Sequence, residues 1–240
     1  TPGFGSASKF VANSIKQLAL DTSVYAVKSV VVLEIMGRNA GWLTASAALA
    51  NDANNRYTDL VVVPEIPFEE DVFLKKVEET INSKGFAMIA LSEGIKYKNG
   101  TYVGEALSNN KSSFDKFNHA VLGGVGKIVE NLIAENIGTK TRSIELNTLQ
   151  RCFSVLASGT DISESVECGK KAYQFATEGK TGFMAGYTRI SDQPYKISID
   201  SFKASDVANY EKKLPSEMLS KDNFDVTDKF FSYAKPLIEG

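Results

Sequence analysis

The sequence is poor in the residues that most often carry metal and nucleophile chemistry. Its 240 residues include one histidine, two cysteines and one tryptophan. The single histidine, His119, leaves no second imidazole for a zinc site and makes a serine–histidine–aspartate triad not credible. Cys152 and Cys168 lack metal-ligand spacing and are too few for a disulfide framework, which is typical of a protein in a reducing compartment. We expect them to be two small buried thiols.

Long apolar runs and an excess of one charge are also missing. No stretch approaches the ~18 consecutive apolar residues of a membrane span, and no basic and apolar leader precedes the first predicted helix. The net charge is −2, with 27 Lys and Arg against 29 Asp and Glu, so a nucleic-acid partner is not indicated. These absences predict a cytoplasmic protein with no nucleic-acid and no membrane partner, and they leave small anions open as ligands.

What is present is the composition of an ordinary globular protein with a sizeable core. Hydrophobic residues make up 43% of the chain and charged residues 23%. The chain opens on Thr1 without an initiator methionine, so we expect a processed product or a piece of something longer.

Short apolar runs alternate with amphipathic helical patterns along most of the chain. This alternation predicts an α/β protein with a Rossmann-like, mostly parallel sheet sandwiched by helices. Residues 96–118 are predicted to be an insertion or hairpin, and two strands flanking Gln193-Pro194 are predicted to pair before a helical tail over residues 204–240. The other predicted strands cover residues 28–35, 59–63, 86–94 and 141–147, and the predicted helices cover residues 6–19, 41–50, 68–83, 121–136 and 161–179.

Polar residues lie at the ends of the predicted strands, where ligands of parallel sheets bind. Arginine forks match phosphate oxygens and a carboxylate accepts sugar hydroxyls, so the set suggests a phosphorylated polyol. The residues alone leave open that Arg38 and Arg151 are merely exposed charges and that Glu93 caps the next helix. The candidates are Met36, Gly37 and Arg38 after the first strand, Glu93 at the end of the third, and Arg142, Thr148 and Arg151 in and after the fourth.

Two other features have ordinary explanations. Gly3-Phe4-Gly5 lacks the third glycine and the preceding strand of a dinucleotide fingerprint, so it predicts a flexible helix entry. Trp42 is expected to pack on a neighbouring helix, with an aromatic platform for a substrate as the alternative.

The motifs EIMGRNAGW, VVVPEIPF, ALSEGI and RSIELNTLQRC occur in this order between residues 34 and 152. Together they resemble the phosphofructokinase family, and the similarity runs from residue 1 to about residue 182. The ELNTLQRC form is closest to the pyrophosphate-dependent or mixed microbial branches. The resemblance implies a fructose-6-phosphate-binding α/β domain with a return to the donor-binding domain over residues 1–182, and C-terminal strands with a helical tail over residues 183–240.

The resemblance also implies roles for the candidate residues. Met36, Gly37 and Arg38 match the segment that holds fructose 6-phosphate near the transferring phosphoryl group. Glu93 matches the acid that binds the sugar hydroxyls. Arg142 matches an arginine that reaches the 6-phosphate, often that of a neighbouring subunit.

The remaining matches include departures from the family pattern. Arg151 ends the family's phosphate-binding His-x-x-Arg, but Thr148 stands at the histidine position, where it offers a hydrogen bond and no charge. Ser29 stands where the family usually has an arginine, with Lys28 beside it. The lysine pair of the bacterial effector pocket is reduced to Lys84, so allosteric control of that type is not expected.

In the family, the donor loop, the magnesium-binding aspartate and the catalytic base precede the stretch that Thr1 begins. Phosphoryl transfer depends on positioning and on neutralising charge, so we expect the chain to be inactive alone. The resemblance implies a glycolytic phosphotransferase that converts fructose 6-phosphate to fructose 1,6-bisphosphate with pyrophosphate or ATP. It further implies Mg²⁺ on the missing segment and a homodimer or homotetramer. The alternative, towards which Thr148 and Ser29 lean, is a non-catalytic sugar-phosphate-binding or regulatory subunit.

Overall fold

The four main strands of the computed structural model form one parallel sheet, and the predicted α/β class is confirmed. The structure describes residues 2–106 and 124–240. His119, the start of the helix predicted at residue 121 and much of the insertion predicted over residues 96–118 lie outside the described residues. The strands are β1 (Ser29–Ile35), β2 (Leu60–Val62), β3 (Phe86–Ser92) and β4 (Lys140–Glu145), in the spatial order β2-β3-β1-β4, with β5 (Phe183–Asp192) and β6 (Tyr195–Lys203) as a separate antiparallel pair.

The helices alternate with these strands as the sequence predicts, with end points that differ by a few residues. The predicted small-residue helix over residues 41–50 is a short α-helix continued by the 3₁₀ turn Ala47–Ala50. The α-helices are α1 (Phe4–Ser23), α2 (Trp42–Ser46), α3 (Glu70–Lys84), α4 (Val103–Ala106), α5 (Val125–Ile137), α6 (Gly159–Thr177), α7 (Ala204–Val207) and α8 (Asp228–Ala234).

Strand β1 lies between β3 and β4 and is buried on both faces. Val30 and Val32 pack into the cluster that holds the apolar side chains of α3 and α5. Val31, Leu33 and Ile35 pack into the cluster formed with α1. Each of these fully buried side chains contributes roughly 1.5–3 kcal/mol to the free energy of unfolding. Since neither face is free for solvent, the strand can expose functional groups only at its ends.

Helix α3 shows why an amphipathic pattern predicts an element well. Its buried residues Phe73, Val77 and Ile81 recur at helical spacing. It ends at Gly85, which has φ 89°, and the Gly85 N–H donates to the Ile81 carbonyl. This left-handed backbone conformation favours glycine.

The C-terminal tail packs against the main sheet. Leu214, Phe230 and Ala234 are buried in a cluster with Val61 and Val63 from β2 and the residue after it. The region after residue 182 therefore has two parts with different contacts. The C-terminal tail shares a core with β2, whereas the hairpin of β5 and β6 contacts α6.

Helix α6 and the hairpin leave apolar side chains in solvent. None of the 19 residues of α6 is buried, and Val166 and Tyr173 are 52% and 74% exposed. On β5, Met184 and Ile190 are 47% and 61% exposed. We call these exposed apolar side chains of α6 and β5, taken together, the open apolar face.

The prediction that both cysteines are buried is wrong. Cys152 is exposed, because it follows the surface 3₁₀ turn Asn147–Arg151. Cys168 is partly exposed and lines a cavity of about 510 Å³ between α6 and β5.

Both edges of the parallel sheet carry a contact from elsewhere in the chain. On the β4 edge, the Ser143 N–H and hydroxyl donate to Glu130 Oε2, at 2.8 and 2.6 Å. On the β2 edge, the Val61 N–H donates to the Phe224 carbonyl at 2.8 Å. Within residues 2–106 and 124–240, no helix is long and apolar enough to cross a membrane.

Glu34 interrupts the apolar run of β1. It is 5% exposed, and its Oε2 accepts the Gly126 N–H at the start of α5, at 2.7 Å. The pKa of Glu34 is raised to about 7, chiefly by burial and also by the nearby carboxylates of Glu145 and Glu93, against the lowering effect of the hydrogen bond from Gly126. A Cβ on Gly126 would lie 2.9 Å from Glu34 Oε2, so a larger residue there would displace the carboxylate.

Replacing Phe230 by Ala tests the packing of the tail. Phe230 is fully buried, so Phe230→Ala should lower the free energy of unfolding by about 3–5 kcal/mol, measured by chemical denaturation. Phe183→Ala is the matched control, because Phe183 is 41% exposed and its loss should cost about 1 kcal/mol or less. Equal effects of the two substitutions would contradict the buried position of Phe230.

The buried Glu34 predicts a dependence of stability on pH. A raised pKa means that the folded protein holds the proton more tightly than the unfolded chain, whose ordinary value is 4.5. This contribution is complete below about pH 4.5 and is lost as the pH rises through about 7. Glu34→Gln stays neutral, so its unfolding free energy relative to wild type should increase on the order of 2 kcal/mol from pH 5 to pH 8.

The exposed Glu135 of α5 provides the control for this comparison. Glu135→Gln should follow the wild-type pH profile of unfolding, because that carboxylate faces solvent. A Glu34→Gln profile parallel to wild type over the same pH range would mean that Glu34 does not titrate there.

Candidate functional site

The carboxyl ends of β1 and β3 lie level with each other and form the centre of the candidate site. Ile35 pairs with Ser92 in the register of the two strands. Beyond this pair, the Glu93 N–H donates to the Ile35 carbonyl at 3.0 Å, and the Gly37 N–H donates to Glu93 Oε1 at 3.1 Å. The predicted residues Gly37 and Glu93 are thus in direct contact. One carboxylate oxygen is oriented by the neighbouring strand end, and the carboxylate has further lone pairs for other donors.

The turn after β1 is held close to the turn after β3. The Ser92 hydroxyl donates to the Gly37 carbonyl at 2.6 Å and accepts the Gly94 N–H at 3.2 Å. A Cβ on Gly94 would lie 1.8 Å from the Arg38 carbonyl, so only glycine permits this approach. Arg38 is partly buried beside it.

A third strand end joins the site through Gln150. This residue is 2% exposed in the turn Asn147–Arg151 after β4, and its Oε1 accepts the Met36 N–H at 3.0 Å. In a 3₁₀ turn, residues three apart lie on the same side. Thr148 and Arg151 are three apart and both exposed, so they share the outer side of the turn while Gln150 points inward.

Arg142 is not brought to this end of the sheet. It is level with Val31 in the register of β1 and β4, roughly 16 Å before Met36 at ~3.3 Å per residue. Its Nη2 donates to Asp21 Oδ2 and Thr22 Oγ1 near the end of α1, both at 3.0 Å. The structure therefore joins Met36, Gly37, Glu93 and Gln150 by hydrogen bonds, and it places Thr148 and Arg151 on the exposed side of the turn that carries Gln150. It leaves Arg142 at the opposite end, where the predicted contact with a neighbouring subunit stays a prediction.

Trp42 packs as expected. Its ring centroid lies 5.1 Å from that of Tyr233 and 6.1 Å from that of Phe4. Its Nε1 donates to the Lys212 carbonyl at 2.7 Å. Trp42 thus connects the loop after β1 to the C-terminal tail.

Two residues of the site were missed by sequence reasoning. Gln150 and Glu65 both accept backbone N–H groups of the loop after β1. Glu65 could have been predicted from its position directly after Pro64, the residue that closes the second predicted strand. Gln150 could have been predicted from its uncharged polar side chain, which lies between the exposed residues Thr148 and Arg151 of a short turn.

The charges around the site are mixed. Burial raises the pKa of Glu34, and the carboxylates of Glu145 and Glu93 act in the same direction. The raised pKa lowers the average negative charge of Glu34 near neutral pH, which favours an anionic ligand nearby. In the part of the chain that the structure describes, no three His, Cys, Asp or Glu side chains are grouped as metal ligands would be.

Comparison with known proteins shows the family of the chain. The family described as Phosphofructokinase matches residues 1–176. The pyrophosphate–fructose 6-phosphate 1-phosphotransferases of Methylococcus capsulatus (strain Bath) and Halomonas elongata are 37% and 36% identical to the chain over its full length. A solved pyrophosphate-dependent phosphofructokinase from Marinobacter aquaeolei superposes with a TM-score of 0.85 at 31% identity, covering all of this chain and 56% of that one.

The chain spans 56% and 57% of the length of these two curated relatives. The range matched by the family, residues 1–176, includes Met36, Gly37, Glu93 and Gln150. With a family match over residues 1–176 of 240, the chain belongs to the phosphofructokinase family.

Proposed function

We propose that this chain is the sugar-phosphate-binding part of a phosphotransferase that converts fructose 6-phosphate to fructose 1,6-bisphosphate. The observation that carries the proposal is the hydrogen-bonded joining of three strand ends, by Gly37 to Glu93 and by Met36 to Gln150. In a member of the phosphofructokinase family, this end of the sheet is the natural place for an anionic sugar.

The roles of the residues follow from their chemistry. Arg38 and Arg151 supply guanidinium groups that suit phosphate oxygens. The Glu93 carboxylate is oriented by the Gly37 N–H and accepts hydrogen bonds from sugar hydroxyls. Thr148, on the same side of its turn as Arg151, donates one hydroxyl hydrogen bond to the phosphate. Met36 and Gly37 form the wall beside the sugar.

The proposed reaction transfers a phosphoryl group to the 1-hydroxyl of the sugar. The hydroxyl oxygen forms a bond to phosphorus, the bond from phosphorus to the donor's bridging oxygen breaks, and the hydroxyl proton leaves to a base. Pyrophosphate is the donor that the names of the relatives support, and inorganic phosphate is then the second product. Mg²⁺, the base and the donor loop belong, on this proposal, to the remaining length of such an enzyme, and we assign no step through the metal here.

The open apolar face of α6 and β5 supports the proposal that more protein packs there. Val166 and Tyr173 of α6 and Met184 and Ile190 of β5 are exposed apolar side chains that packing against further protein would bury. In the division predicted from the sequence, residues up to 182 return to a donor-binding domain, and we propose that the exposed side of α6 contacts that domain.

Activity measurements on the chain alone and on the chain extended to the length of its relatives test the proposal. The 240-residue chain should form no fructose 1,6-bisphosphate with pyrophosphate and Mg²⁺, because in-line transfer requires a positioned donor. The extended protein should form it with pyrophosphate. Product formed only with ATP would overturn the donor, and binding of fructose 6-phosphate without turnover by either donor would favour the non-catalytic subunit.

Arg151→Ala tests the binding site directly. Loss of a charged hydrogen bond to phosphate should weaken fructose 6-phosphate binding by about 1.5 kcal/mol or more, or roughly tenfold, in calorimetric titrations. Arg56→Ala is the control, because Arg56 forms its ion pair with Asp225 in the tail. Unchanged affinity in the Arg151 variant would remove this residue from the site.

Arg142→Ala addresses the proposed homodimer or homotetramer. Because Arg142 lies at the other end of β4, its loss should weaken sugar-phosphate binding only in samples that light scattering shows to be oligomeric. The same loss of affinity in monomeric samples would contradict a role towards a neighbouring subunit.

A further inference from the structure

The loop that carries the proposed sugar-phosphate residues is attached to the C-terminal tail. We call residues 36–42 the site loop and residues 211–214 the tail segment. The Asn39 Nδ2 donates to Glu211 Oε1 at 2.5 Å, and the Trp42 Nε1 donates to the Lys212 carbonyl at 2.7 Å. The tail segment itself has no helix or strand, so its position depends on contacts of this kind.

Glu65 forms hydrogen bonds with both the site loop and the tail segment. Its carboxylate accepts the Gly41 N–H with both oxygens, at 2.9 and 3.1 Å, and its Oε1 also accepts the Leu214 N–H at 2.9 Å. Hydrogen bonds to a carboxylate are stronger than those between neutral groups. One side chain therefore fixes the backbone of the site loop to the backbone of the tail segment.

The residues around Glu65 hold its contacts with the site loop and the tail segment in place; we call these contacts the junction. Leu214 is 3% exposed and packs in the cluster of Val61, Val63 and Phe230. A Cβ on Gly41 would lie 2.6 Å from Val63 Cβ and 2.8 Å from Glu65 Oε2, so the approach requires glycine. The tail end of the junction is thus anchored in the core, and the loop is held against it.

We infer that Glu65 is a positioning residue for sugar-phosphate binding, acting by tying the site loop to the core-anchored tail segment. On its inner side the loop is fixed by Glu93 and Gln150, which accept the N–H groups of Gly37 and Met36. Glu65 fixes the outer side at Gly41, so Arg38 lies between two attachment points. This inference rests on the proposed function, because it assigns the effect to sugar-phosphate affinity.

Trp42, the one tryptophan of the chain, reports the junction by its fluorescence. In Glu65→Ala, the emission of Trp42 should shift to longer wavelength and acrylamide should quench it more strongly, because the contact with the Lys212 carbonyl loosens. Titration of the same 240-residue protein with fructose 6-phosphate should show an affinity at least about tenfold weaker. Glu65→Gln keeps one acceptor oxygen and should give intermediate values for both readouts.

Glu69→Ala is the matched control, since Glu69 is exposed four positions further on and should leave both readouts at wild-type values. Unchanged Trp42 fluorescence in folded Glu65→Ala or Glu65→Gln would overturn the inference, as would a fluorescence change without loss of affinity. A lower melting temperature with wild-type affinity would likewise reduce Glu65 to a structural role. Failure of the wild-type chain to bind fructose 6-phosphate would instead refute the proposed function, and the dependent inference with it.

Discussion

Burial of β1 on both faces is the constraint on which the rest of the molecule depends. Every residue from Val30 to Ile35 is buried, so the strand is fixed along its length by packing against helices on either side. Its last residue is level with the end of β3. The loops that follow the two strands begin side by side, which allows contacts between them that neither loop could make alone.

Three glutamates accept glycine N–H groups; two of them fasten the loop after β1, and the third joins β1 to the start of α5. In each pair a carboxylate accepts a backbone N–H, which leaves the side chain oriented and the backbone satisfied. For two of the pairs, a side chain on the glycine would collide with the carboxylate itself. The pairs are Glu34 with Gly126, Glu65 with Gly41, and Glu93 with Gly37.

The elements were predictable because their signals are local. An apolar run bounded by turns gives β1, and apolar spacing closed by Gly85 gives α3. The adjacency of Gly37 and Glu93 also follows, since both come directly after strands of a parallel sheet. The partners of Gln150 and Glu65 do not follow, because Met36 and Leu214 lie 114 and 149 residues away. No local pattern encodes which distant N–H a side chain will accept, and the same limit applies to the contact of Arg142 with Asp21.

The contacts at the two edges of the sheet have a consequence for association. An uncovered edge strand offers its backbone as a template for another chain, which leads to unwanted sheet extension and aggregation. Here Glu130 occupies the Ser143 N–H on one edge and the Phe224 carbonyl occupies the Val61 N–H on the other. At these two positions a second chain finds no free donor, so strand addition to either edge would have to proceed without that backbone hydrogen bond.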